Sequence, residues 1–220
     1  MQRVAIIGSG DLGAQLAHLA EQCAGYRPAG YYDDFAEKGS YKNGLPVLGG
    51  SEDVLQGFQA GAFDALIIGI GYKHLPVRRA LFNRFAPHVP FATLVHPTVI
   101  CDAGATVGAG SAVYAGCTID AGVKIGANVL LNVGCIIAHD TTIEDHCFLS
   151  PAVSLAGFIT VGHSSVVGIN ATLIDNLTVP PGTQIGGGTV VIKNPERSGL
   201  YVGNPARYVR GVDFLKQTDS

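Results

Sequence analysis

Tryptophan is absent from these 220 residues, methionine occurs once, and only 14% of the residues are charged. So little charge, set beside 47% hydrophobic residues, excludes an intrinsically disordered chain. Neither sign of charge is in large excess: 14 Lys and Arg face 17 Asp and Glu, a net charge of −3. A chain with that balance has no sequence-wide attraction to nucleic acid or to an anionic membrane surface. Long apolar runs are missing too. The longest strongly apolar stretch, Ala65–Ile70, is strand-sized, far short of the roughly 18 to 20 residues of a membrane span. The first apolar run, Val4–Ile7, meets Gly8 at once, which is not the pattern of a secretory signal, so a cytoplasmic protein is expected. The five cysteines are odd in number and form no CxxC pair, which excludes a disulfide framework and a zinc site of that type.

Glycine is abundant, at 30 residues, and accompanies many Val and Ile, as tight turns between short strands require. The length suits one large domain or two small ones, and two grammars are present. Residues 1–94 alternate between strand and helix patterns. Arg3–Ile7 reads as a strand, Ala14–Cys23 as an amphipathic helix, and Ala29–Tyr32 as a second strand. Phe35–Gly50, with five Gly or Pro residues, is expected to wander. A short helix over Glu52–Phe58, a strand over Asp64–Ile70, a helix over Lys73–Phe85 and a strand over Phe91–Val95 complete this half. Such alternation implies a parallel sheet.

From Val95 a period of six takes over. Every sixth residue from Val95 to Val191 is Val, Ile or Leu, with Cys101 the one exception among seventeen positions. The position four further on is small or β-branched for most of the run: Ala105, Ser111, Cys117, Val123, Val129, Cys135. A period of six is neither a helical heptad nor strand alternation. It fits a parallel β-helix in which each hexad makes one short strand and one turn. Cys117 and Cys135 share one hexad position and are then expected inside as small hydrophobes. The repeat breaks at Lys193. The expected domains are 1–94, 95–193 and a tail over 194–220 that holds Gly203-Asn204-Pro205-Ala206 and the basic Arg207 and Arg210.

Several residues could carry chemistry. His139 lies outside the inward hexad position, where an imidazole can titrate near neutral pH and act as a base. Asp140 beside it could orient the ring, and Gly157 falls three hexads further on. A solvated surface histidine remains the plain alternative. Asn132 could contact a ligand or simply close a turn on its own backbone. Gly8-Ser9-Gly10-Asp11-Leu12-Gly13 has the G-x-G-x-x-G form between a strand and a helix, with Asp33 twenty residues past Gly13. That context binds nucleotides: backbone amides and a helix N-terminus face an anion, and a carboxylate takes a ribose hydroxyl. A unit of this size is about half of a dinucleotide domain, which argues against NAD. Asp33 and Asp34 end a strand, and Gly71, Tyr72 and Lys73 follow another at the same sheet edge. A metal site is not expected. His139 and His146 are seven apart, and His146 and His163 seventeen, neither matching an H-x4-H ligand pair, so His146 and His163 read as surface or turn residues.

Taken together, the Gly-rich loop, Asp33-Asp34, Ile70-Gly71, Val95-His96-Pro97, Asn132, His139-Asp140, Gly157 and Gly203-Asn204-Pro205-Ala206 resemble a known family over residues 1–210. It is that of the hexapeptide-repeat nucleotide-sugar N-acetyltransferases, of the bacillosamine and perosamine types, with the related sialic acid O-acetyltransferases. The resemblance implies an α/β half-Rossmann-like domain followed by a left-handed parallel β-helix with three hexads per coil. It implies acetyl-CoA as co-substrate, a nucleotide-linked amino sugar as acceptor, and a homotrimer. By the same resemblance His139 is the catalytic base, and Asp140 stands where the family often has Glu. Gly8, Ser9, Gly10, Gly13, Asp33, Asp34, Gly71, Tyr72, Lys73 and Asn132 would hold the nucleotide sugar. Gly157, Gly187, Lys193, Asn204, Pro205 and Arg207 would hold the acyl donor. Many members carry Gly-His in the first loop, where this chain has Asp11-Leu12. Three other readings stay open: O-acetylation of a sugar hydroxyl, a nucleotide-binding redox or sensor protein on a β-helical scaffold, and a metal-dependent hydratase.

Overall fold

The computed structural model describes residues 1–216, in two compact units that divide after Pro97. In the first unit a five-stranded sheet is built from β1 (Gln2–Ile7), β2 (Tyr26–Tyr32), β3 (Tyr41–Lys42), β4 (Leu45–Gly49) and β5 (Ala65–Ile68). Its order is β3-β4-β2-β1-β5, parallel except for the β3–β4 hairpin. Helices α1 (Asp11–Gln22), α2 (Val54–Gln59) and α3 (Leu75–Phe85) make the connections. β1 and β5 form the buried centre: Val4 to Ile6 and Leu66 to Ile68 are fully inaccessible. Such continuous apolar runs are what strands covered on both faces require. β2 and β5 flank β1 on opposite sides, so the chain reverses its winding direction at the carboxyl end of β1. Open α/β sheets place ligands at such a point.

Two expectations are corrected in this unit. Phe35–Gly50 does not wander: it holds a hairpin, and β4 pairs with β2 through Tyr31 and Val47. The turn is Asn43-Gly44, with φ of 47° and 78°, a two-residue hairpin turn whose twist matches that of its strands. Phe91–Val95 is not one strand. Phe91 makes a single bridge to Leu66, and only Leu94–Val95 is extended in a ladder. Pro90 has no N–H to carry the pairing backwards.

The second unit is a left-handed parallel β-helix. Its strands are two residues long and recur every six residues. One face stacks Ile100–Cys101, Thr118–Ile119, Ile136–Ile137, Ser154–Leu155, Thr172–Leu173 and Val190–Val191 in strict eighteen-residue register. A second face runs from Thr106–Val107 to Thr178–Val179. The third, from Ala112–Val113 to Gln184–Ile185, is extended by Leu200–Val202 and an antiparallel Arg207–Arg210. The hexad aliphatics from Val113 to Val191 point inward and are buried; Cys101, on the first coil, is exposed.

The small residue two positions before each aliphatic also points inward, and the structure explains its chemistry. From Ser111 to Ser165 a polar residue there donates to the carbonyl fifteen residues on, whereas Thr183 reaches back to Pro180 O. Ser111 reaches Gly126 O at 2.8 Å, Thr141 reaches Ala156 O at 3.0 Å, and Cys117 reaches Asn132 O at 3.1 Å. The partner in the coil wall is what makes these buried hydroxyls and thiols tolerable, and the Thr189 hydroxyl is the exception, buried without one. Every turn from 110 to 188 places one residue, six apart, at positive φ. Six of these are Gly and three are Asn, the residues that adopt this conformation most cheaply.

Candidate active site

His139 and Asp140 sit at one corner of the β-helix, both exposed. Asp140 occupies the positive-φ turn position, at 57°, and this backbone turns its carboxylate toward the preceding residue. His139 Nδ1 lies 3.1 Å from Asp140 Oδ2. A carboxylate can only accept, so Nδ1 is the donor in this contact, and the neutral ring has its lone pair on Nε2. Below Asp140 lies Gly122, where a β-carbon would come within 2.7 Å of Asp140 Oδ1. Above His139 lies Gly157, where a β-carbon would stand 2.6 Å from His139 Cε1 and 2.7 Å from Nε2. Two glycines, each one coil away, therefore leave the space that the pair occupies. Gly157 also leaves the Nε2 edge approachable. The same arithmetic that finds Gly157 would have found Phe158 one residue later, whose ring stands edge-on to the imidazole at 5.0 Å. Asn132 Oδ1 accepts the Val133 amide at 2.8 Å.

The cysteines nearby are packing groups. Cys117 and Cys135 are fully buried one coil apart. The hydrogen bond with Cys117 and burial push the Cys135 thiol up. Burial pushes Cys147 up to about 12. Of the other histidines, His163 is half-buried, and His146 is a turn residue rather than a surface one. It is buried, and its Nδ1 accepts from Asn128 Nδ2 at 3.1 Å. Among the described residues no group of three or more His, Cys, Asp or Glu is placed to hold a metal ion.

In the first unit, a cavity of about 390 Å³ opens at the carboxyl ends of β1, β2 and β5. Its wall includes Gly8, Gly10, Asp33, Asp34, Gly71 and His74. Gly8 turns at φ 99°, and Gly13 lets α1 approach, since a β-carbon there would collide with Gly8 O. Gly10 is the N-cap of α1 and offers no side chain to its amides. The helix N-terminus is thus left facing an anion's position. Asp33 is spent on shaping this loop. Its Oδ2 accepts both the Ser9 amide, at 2.7 Å, and the Ser9 hydroxyl, at 2.6 Å, and its Oδ1 accepts the Phe35 amide at 2.9 Å. Burial pushes the carboxyl up, but the hydrogen bonds from Ser9 and Phe35 and the charge of Lys42 outweigh it and hold it below the usual range. Asp34 Oδ1 accepts the Ser51 amide at 2.6 Å, capping the turn that leads into α2. Tyr72 and Lys73 do not line the cavity. The single 3₁₀ turn Tyr72–His74 brings in His74 instead, which the sequence did not single out.

A second cavity in the β-helical unit, about 380 Å³, lies between the last coil and the Arg207–Arg210 strand. Lys193 and Arg207 line it together with Arg197, whose guanidinium stacks 4.0 Å over the Tyr208 ring. Asn204 and Pro205 are outside this lining, and Gly187 lies apart from it beside Ile169. Arg197 was hidden in the sequence because it falls after the repeat ends.

Residues 3–85 match the PglD N-terminal domain family. A solved structure of a histidine-to-asparagine mutant of perosamine N-acetyltransferase from Caulobacter crescentus, with CoA and GDP-perosamine, superposes with a TM-score of 0.88. It shares 27% identity over 95% of this chain and 97% of its own. The acetyltransferase domain of PglB from Neisseria gonorrhoeae superposes with a TM-score of 0.86. Identity there is 25% over 95% of this chain and 100% of that one. Gamma carbonic anhydrase 2, mitochondrial, of Arabidopsis thaliana is 28% identical over 163 residues, 63% of this chain and 55% of that protein. The last match spans just over half of its relative's length, whereas the two acetyltransferase structures match end to end, both units included. The first unit matches the PglD N-terminal domain family, and over both units the chain is similar to the perosamine N-acetyltransferase and PglB acetyltransferase structures.

Proposed function

We propose that the protein transfers the acetyl group of acetyl-CoA to the amino group of a nucleotide-linked sugar, with His139 as the general base. The observation that carries this reading is the His139 imidazole, held through Nδ1 by Asp140, its Nε2 edge left approachable by the missing side chain of Gly157. The family match and the CoA and GDP-perosamine named for its relative support it. The first unit holds the nucleotide, its phosphates against the Gly8–Gly13 loop and the start of α1. Because Asp33 already accepts three donors, its role is to fix that loop.

The amine nitrogen attacks the thioester carbonyl. As the new C–N bond forms, His139 Nε2 takes the amine proton, and Asp140 stabilises the imidazolium. The Gly157 backbone amide is the donor offered to the developing oxyanion. The C–S bond then breaks and coenzyme A leaves. Both substrates are bound together, so no covalent enzyme intermediate is required. Lys193, Arg197 and Arg207 supply positive charge for the phosphates of coenzyme A.

A homotrimer is part of this reading. Exposed aliphatics on the β-helix, Ile136 at 51% and Ile192 at 50%, support it as surface that a second copy would cover. A cytoplasmic location suits two charged metabolites as substrates, and no described helix is long and apolar enough to cross a membrane.

The test is release of free thiol from acetyl-CoA with UDP-, GDP- and dTDP-linked amino sugars, each beside its hydroxyl analogue. Release with one amino sugar and not its analogue is expected, and it names the nucleotide. Release with the hydroxyl compound alone would turn the reading to O-acetylation. Tight NAD(H) binding without acetyl-CoA binding would replace it.

A further inference from the structure

The turns of the β-helix hold one residue out of place. Fourteen positions from Gly110 to Gly188, six apart, have positive φ. Eleven are Gly, Asn, Asp or His, which tolerate this backbone, and Ala152 and Ser164 are small. Phe158, at φ 58°, is the one bulky apolar residue among them. A large side chain there is strained, and strain that persists points to a function. Core packing does not explain it, because Phe158 is 54% exposed. Its ring instead stands at 87° to the His139 imidazole, with centroids 5.0 Å apart. Its amide donates to the His139 carbonyl at 3.1 Å, the same bond that Asp140, Ala152 and Asn176 make at their turns, so the ring and not the backbone sets Phe158 apart.

We propose that Phe158 is a positioning residue for the catalytic imidazole; this rests on the reading of His139 as the base. Three neighbours define the ring. Asp140 holds Nδ1, the bare Gly157 backbone leaves the Nε2 edge open, and Phe158 closes the remaining side against rotation about χ2. A bare Asp140 contact on an exposed side chain would let the imidazole swing and exchange tautomers. The edge-on aromatic contact removes that freedom, so Nε2 stays aimed at the acceptor amine.

The informative variant is Phe158→Asn, which puts at this turn the residue found one coil on at Asn176, where φ is 59°. Backbone strain is relieved, so the melting temperature should stay level or rise. Activity is expected to move the other way, with kcat down about tenfold or more while KM for both substrates stays within about twofold. Phe158→Tyr, which keeps the ring, should restore kcat. A second readout needs no substrate: the ¹⁵N shifts of the His139 imidazole in the full-length protein, assigned with His139→Gln. The wild type should show a single Nδ1–H tautomer, and Phe158→Asn a mixture.

Wild-type kcat in Phe158→Asn overturns the inference. So does a fall in kcat with unchanged His139 shifts, which would mean that the ring touches substrate rather than the base. His139→Ala separates this failure from that of the underlying reading. If His139→Ala stays active, the base assignment falls and takes this inference with it. If it is inactive while Phe158→Asn is normal, only the role of Phe158 falls.

Discussion

The β-helix and the α/β unit solve the same problem, that of holding a reactive or charged group still, by opposite means. In the β-helix the backbone is a lattice: register repeats every eighteen residues, and each turn has the same φ. A function there shows as a departure from the repeat. Gly157 beside an imidazole and Phe158 at a glycine-like position are two such departures. The α/β unit has no lattice. Its loop is shaped by one carboxylate, Asp33, that gathers Ser9 and Phe35. Function there must be read from which polar groups are already taken and which are left over.

The contrast can be broken at four points. The largest effect is expected from Leu149→Ala. Leu149 is fully buried and stacked between Leu131 and Val167, and a rigid lattice cannot collapse around the void. A loss of about 2–5 kcal/mol should appear in denaturant unfolding. Gly157→Val comes next. Its side chain must displace the exposed end of His139, not the lattice, so stability should hold while kcat falls about a hundredfold. Steady-state kinetics beside a thermal melt separates the two.

Asp33→Asn probes the other region. Asparagine keeps only one acceptor oxygen, so either the Ser9 pair or the Phe35 amide loses its partner; the loop loosens, and KM for the nucleotide sugar should rise about tenfold at near-constant kcat. Its acid behaviour follows from the depressed carboxyl. A carboxyl lower in the folded than in the unfolded state stabilises the fold fully above the unfolded value, near 4. That contribution disappears as pH falls through the folded value. Stability measured from pH 6 down to pH 2 should therefore fall less in Asp33→Asn than in the wild type. Cys135→Ala is the mildest. It removes one thiol donor to Ser150 O, at 3.3 Å, and a small volume, about 1 kcal/mol by denaturant unfolding. Full retained activity would agree with a packing role.

The β-helix was legible because its period is written in single residues. The aliphatics from Val113 to Val191 gave the inward face, and adding eighteen gave the neighbour of any position. His139 and Gly157 were paired by that sum once the resemblance supplied three hexads per coil. Phe158 was one step away, but an exposed Phe carries no signal until its φ is known. In the α/β unit the strands β1 and β5 were plain as apolar runs, whereas β4 was hidden by Pro46 and its glycines. Asn43-Gly44 was the turn signal that would have recovered it. The sequence placed Asp33 at a nucleotide site but could not say that its lone pairs were already occupied. Side-chain contacts between distant residues, such as Arg197 with Tyr208, leave no periodic mark at all.

The central claim is that the His139 imidazole, framed by Asp140 and Gly157, is the base that takes the amine proton. The most direct test is kcat of His139→Ala with acetyl-CoA and the responding amino sugar, alongside a melt. A normally folded variant whose kcat is lower by about 10²- to 10⁴-fold, with KM little changed, is the expected result. A folded His139→Ala variant that turns over at the wild-type rate would contradict the account.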